Sequence, residues 1–145
     1  MTIVRAAALA ALALLGATGT AQAQPYDRLD PVPVQASPAC GGTATAEAQV
    51  TPVQVGDRVA DGVRVVIRYD AGVYDGSCVL TVPATWENRD TGAAGAGEIT
   101  AVSTVDGHYG FIGYANTTFV TGPGTVVVGV GSHPGQRMVV TPTRG

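Results

Sequence analysis

The chain has no lysine: its 8 Lys+Arg side chains are all arginine, set against 11 Asp and Glu, and the formal net charge is −3. Only 13% of residues are charged, so no clustered positive field is present and nucleic acid is not an expected partner. Cysteine is limited to Cys40 and Cys78 and histidine to His108 and His133, without the C-x-x-C or Cys/His spacing of a zinc site. No G-x-S-x-G is present, which removes the nucleophile elbow of a hydrolase. Beyond the N-terminus nothing has helical period and length. Aromatic residues make up only 6%, so the place where they cluster carries information.

The one long apolar run stands at the start, from Ala6 to Leu15, after Arg5 and before small residues ending in Ala21-Gln22-Ala23. That is the three-part layout of a secretory signal peptide cleaved after Ala23. The run is too short to span a bilayer, which takes about 20 residues. Cleavage takes 23 of the 145 residues and leaves 122, enough for one domain. No transmembrane segment is then expected. In an exported chain Cys40 and Cys78 are most simply one disulfide. The bias toward Ala, Gly, Val and Arg suggests a high-GC bacterial genome.

Residues 24–42 hold Pro25, Pro31, Pro33 and Pro38 and read as an extended N-terminal arm. From Thr43 the pattern alternates with period two, as half-buried strands do. Ala44, Ala46, Ala48 and Val50 share one face of a strand; Val63, Val65, Ile67 and Tyr69 share one face of the next. Turn signals at Gly56-Asp57, Asp61-Gly62, Asp75-Gly76, Asp106-Gly107 and Pro134-Gly135 separate the runs. "TVVVGVG" is apolar on both faces and reads as a central strand. The expectation is an all-β, immunoglobulin-like β-sandwich of seven or eight antiparallel strands over 43–145, with a small barrel as the alternative. The general layout resembles small secreted immunoglobulin-like proteins, in architecture and not in any motif.

His133 and Met138 have the H-x4-M spacing of a cupredoxin copper loop, but the strand before them, "TVVVGV", lacks the thiolate that a blue-copper site needs. No metal or other cofactor is expected. Ser103 and Ser132 lie near the two histidines in sequence without a third, orienting group, and Glu87, Asp90 and Glu98 sit around a polar loop with no local pattern. Asp70 and Asp75 do not match a calcium loop. Arg64 and Arg68 share one strand face, a pair that either keeps the strand soluble or holds an anionic polymer. Trp86 is expected to pack on the core.

The stretch "DGHYGFIGYANTTF", Asp106 to Phe119, remains. A type I′ turn at Asp106-Gly107 would pair Val105 with His108 and Ala101 with Ile112. In that register Ile112 and Tyr114 enter the core, while Tyr109 and Phe111 point outward as candidate ligand-binding residues. A bulge near Gly113 would return Phe119 to the core.

These features point to a secreted, non-catalytic binding or structural module of the bacterial exterior or cell envelope, meeting a glycan, a protein or an envelope surface. Two alternatives stand beside it: a small-molecule carrier using a cleft in the sandwich, and a secreted enzyme or enzyme inhibitor.

Overall fold

A computed structural model describes residues 24–72, 76–106 and 109–143, with the backbone alone at 105, 106, 109 and 110. The expected signal peptide, 1–23, lies outside these residues. The described chain is a β-sandwich of nine strands: β1 Tyr26–Pro33, β2 Thr43–Val55, β3 Arg58–Asp70, β4 Gly76–Asn88, β5 Ala94–Asp106, β6 Tyr109–Phe111, β7 Gly113–Val120, β8 Val126–Val130 and β9 Met138–Val140. One antiparallel sheet has the order β1-β2-β3-β7 and the other β6-β5-β4-β8-β9. Three consecutive strands lie side by side in each sheet, unlike the strand order of immunoglobulin constant domains.

Nine strands replace the expected seven or eight for two reasons. The proline-rich segment is not an arm but the edge strand β1, antiparallel to β2 with Leu29 opposite Ala46. Proline is tolerated there because an edge strand needs hydrogen-bond donors on one side only. The aromatic stretch is also two strands, β6 and β7, in different sheets.

Asp61-Gly62, read from sequence as a turn, instead lies within the 13-residue strand β3. A Cβ on Gly62 would run into the Val53 side chain and come within 2.5 Å of the Phe119 carbonyl oxygen, so the glycine serves the close approach of β2 and β7. The hairpin turns at Gly56-Asp57, where Gly56 has φ 62°. All non-glycine φ values are negative among the described residues, so the turn has the sign pattern of type II′.

The core lies between the inner faces. Ala44, Ala46, Ala48, Val63, Val65, Ile67 and Tyr69 come from one sheet, and Leu80, Val82, Ile99, Ala101, Val128 and Met138 from the other. The predicted alternation on β2 and β3 is what places the first set, and all five residues of β8 are buried, in keeping with its place between β4 and β9. Trp86 is half-buried against the core, tilted on Phe119 with ring centroids 6.2 Å apart. Gly95, opposite Trp86 on β5, leaves room for the indole.

Buried polar groups tie the connections to the sheets. Asn88 donates from Nδ2 to the Thr121 and Pro123 carbonyls, both at 2.9 Å, and accepts at Oδ1 from the Asp90 and Thr91 amides. All its hydrogen-bonding capacity is used, so one side chain joins the β4–β5 and β7–β8 connections. The Tyr69 hydroxyl donates to the Gly41 carbonyl at 2.8 Å, and burial, with the Asp70 carboxylate second, raises its pKa. The Asp27 carboxylate accepts from the Val139 amide at 2.8 Å, which occupies a donor on the edge strand β9.

Cys40 and Cys78 form the expected disulfide, with Cα atoms 5.6 Å apart, joining the β1–β2 connection to β4 across the two sheets. Its sequence separation of 38 corresponds to about 4 kcal/mol of loop entropy removed from the unfolded chain. Replacing both cysteines with alanine is expected to lower the urea-unfolding free energy by about 3–4 kcal/mol; a loss under about 1 kcal/mol would show that the bond contributes little.

Candidate functional site

The register of β5 and β6 departs from the sequence expectation. Asp106 pairs with Tyr109 and Thr104 with Phe111, so the two residues between the strands are Gly107 and His108, not Asp106 and Gly107. Those two residues, and the Tyr109 side chain, lie outside what the structure describes. Thr104 belongs to the outward set of β5, opposite in parity to buried Ile99, Ala101 and Ser103, and Phe111 shares its outward face. Phe111 is 64% exposed, as its expected role requires.

Ile112 and Tyr114 do not enter the core: they are 60% and 53% exposed. The reason is topological. At Ile112 the chain leaves the edge of the five-stranded sheet and joins the edge of the other beside β3, with Gly113 opposite Tyr69 and Tyr114 opposite Arg68. The expected bulge near Gly113 is therefore a change of sheet. Gly113 passes so close to β5 that a Cβ would stand 2.6 Å from the Val102 carbonyl oxygen, and no side chain fits there. Phe119 still reaches the core, because Ala115 and Phe119 face inward on β7.

Ser103 fixes this crossing. Its buried hydroxyl accepts from the Ala71 amide at 3.1 Å and donates to the Phe111 carbonyl at 3.1 Å, tying the end of β3 and the end of β6 to β5. The hydroxyl weighed from sequence as a nucleophile is thus committed to backbone.

Phe111, Ile112 and Tyr114 form an exposed apolar ridge over the side of the sandwich. Beside it is a groove of about 290 Å³ lined by Thr43, Thr45, Arg68, Asp70, Ile112 and Tyr114. Sheet register assembles it: Thr43 lies opposite Asp70, and Arg68 lies between Thr45 and Tyr114. The Arg68 guanidinium sits 5.5 Å from the Tyr114 ring centroid, a cation–π contact. Arg68 Nε is 3.7 Å from Glu47 Oε1, and Asp70 Oδ1 accepts from the Gly72 amide at 2.9 Å. The groove thus combines an aromatic wall, two hydroxyls, a carboxylate and a guanidinium, with no nucleophile and base in contact.

His133 is buried in the β8–β9 connection. Its Nε2 donates to the Asp30 carbonyl at 2.9 Å, because a carbonyl only accepts, and its Nδ1 is 2.8 Å from Ser132 Oγ. Asp30 lies in the irregular stretch of β1 between Leu29 and Val32, where pairing with β2 breaks. The histidine therefore compensates a backbone group left without a strand partner. Met138 is in the core. Asp90 accepts from the Thr125 amide at 2.9 Å.

A second concavity, of about 660 Å³, is at the other end of the β2–β3 hairpin, lined by Val50, Pro52, Val59, Asp61 and Pro123 among others. Asp61 is its one titratable group. Comparison with protein-family models, curated proteins and solved structures finds no match to this chain.

The sequence singles out Arg68, with Arg64, but does not join it to Ile112 and Tyr114, because its register runs through a single hairpin and places those two side chains in the core. The clue was present in Phe119, whose burial demanded a parity change somewhere before it. Replacing Phe111 and Tyr114 together with alanine is expected to change unfolding free energy by about 0.5 kcal/mol or less, as for exposed positions. Phe119→Ala, which removes a ring packed on Trp86, is expected to cost about 3 kcal/mol. Equal losses in the two proteins would place the ridge in the packed interior.

Proposed function

We propose that the protein is a secreted, non-catalytic binding module of the bacterial exterior or cell envelope, and that the groove beside Phe111, Ile112 and Tyr114 holds a glycan. The observation that carries this reading is the exposure of three neighbouring large apolar side chains next to hydroxyl, carboxylate and guanidinium groups. Apolar surface of this kind is costly to leave in water and marks contact sites. A sugar ring offers both halves of the match, an apolar face of C–H groups for the aromatic ring and hydroxyls for Thr43, Thr45 and Asp70. The Cys40–Cys78 disulfide is compatible with an oxidising compartment. Among the described residues no helix is long and apolar enough to cross a membrane.

Glycan-array binding and pull-down on bacterial cell wall test the reading. Wild-type protein is expected to bind, and the Phe111→Ala, Tyr114→Ala protein to lose binding while keeping its thermal midpoint. Unchanged retention of the double variant would remove the groove from the account.

One observation favours the enzymatic alternative, the hydrogen bond between Ser132 and His133. The buried ring donates its other nitrogen to a backbone carbonyl rather than to a carboxylate, so the orienting group of a hydrolytic triad is replaced by chain. A fluorophosphonate probe is expected to leave Ser132 unlabelled. Stoichiometric labelling at Ser132, mapped by mass spectrometry, would make the protein a hydrolase.

A further inference from the structure

Resting on the reading of the groove as a glycan site, we infer that the glycan is acidic, a polysaccharide bearing repeated carboxylates, and that it leaves the groove across the outer face of the four-stranded sheet over Arg68 and Arg64. That face is built by register. One row runs Thr45, Arg68, Tyr114; the next runs Arg28, Glu47, Val66, Asn116; the third runs Tyr26, Gln49, Arg64, Thr118. The chain carries net negative charge, yet these rows hold three arginines and a single acid, with Asp70 in the adjoining row at the groove's far wall.

Glu47 neutralises only part of that charge. Its carboxylate is close to Arg68 and accepts from Gln49 Nε2 at 3.4 Å. Arg68 keeps 52% of its side chain in solvent. Arg64 forms no ion pair among the described residues, and its buried Nε has no hydrogen-bond partner. Val66 points to the same face and is fully buried, so the long side chains beside it lie down over it. Arg64 is thus a half-buried cation with no carboxylate partner among the described residues, and its terminal guanidinium nitrogens are the groups that a ligand carboxylate would meet.

Spacing sets the size of the ligand. Arg64 and Arg68 are four residues apart on one strand, about 13 Å, which no single carboxylate spans. A chain with repeated carboxylates meets both. Exposed tyrosines mark opposite corners of the face, Tyr114 in the row of Arg68 and Tyr26 in the row of Arg64, so each arginine row ends on an aromatic for a sugar ring. The hydroxyls and amides between them, Thr45, Gln49, Asn116 and Thr118, suit a hydroxylated polymer better than a bare polyanion.

The test uses the whole secreted protein in affinity electrophoresis and calorimetry against polygalacturonate, alginate and hyaluronan, their carboxyl-reduced counterparts, and polyphosphate. Binding to at least one of the carboxylated polymers is expected, at least tenfold weaker after carboxyl reduction and weakened by added NaCl. Arg64→Gln and Arg68→Gln are each expected to weaken it about tenfold, the effect of losing one charge-assisted contact, with thermal midpoints confirming that both variants fold. Arg58→Gln, at the exposed hairpin tip, is the charge-matched control and should bind as wild type. Equal binding to native and carboxyl-reduced polymers, insensitive to Arg64 and Arg68 but lost in Phe111→Ala, Tyr114→Ala, would overturn the acidic ligand and leave the glycan groove standing. Tighter binding to polyphosphate would also overturn it. Absence of binding to every polymer, native or reduced, would overturn both readings.

Discussion

A strand that leaves one sheet of a sandwich for the other must turn over, because the core lies on opposite sides of the two sheets. In this protein the crossing falls at Ile112, and the exposed ridge follows from it. Phe111 faces outward from one sheet and Tyr114 outward from the other, while Ile112, in the gap, belongs to neither. The crossing needs a residue without a side chain at 113, where β7 passes over the β5 backbone, and a buried hydroxyl at 103 to satisfy the backbone groups that the break leaves over. An apolar residue at 103 would suit the core locally and would orphan the Ala71 amide and the Phe111 carbonyl.

Single polar side chains are used in the same way at other places where the strand ladders stop. Asn88 closes the connections at one end of the sandwich, and His133 takes the Asp30 carbonyl freed where β1 and β2 fall out of register. Asp27 occupies the Val139 amide. Backbone hydrogen-bonding capacity has to be met somewhere, and each of these side chains meets it where a sheet cannot.

Alternation made the two-sheet sandwich, the inner faces of β2 and β3, the central position of β8 and the disulfide legible in the sequence, because period two is a local signal and two cysteines leave one pairing. It did not reveal β1, since proline argues against a strand and only an edge position rescues it. Asp61-Gly62 looked like a turn because glycine there answers a long-range contact with Phe119, and sequence neighbours carry no trace of that. For the ridge, Phe111 is legible from alternation, while Ile112 and Tyr114 are placed inside because alternation is carried through a point where the chain changes sheet. Arg68 could not be joined to Tyr114 before it was known that β7 lies beside β3, a pairing of strands far apart in the chain.

The disulfide also decides how the protein carries mechanical load. Cys40 precedes β2 and Cys78 follows β3, so β2 and β3, with Arg64, Arg68 and the floor of the groove, lie within a covalent loop. Tension applied between the two ends of the chain passes from Cys40 directly into β4 and bypasses everything between. A module anchored by one terminus and pulled by the other therefore keeps its central hairpin out of the covalent line of force, and load reaches β2 and β3 through the hydrogen-bond ladders they share with β1 and β7.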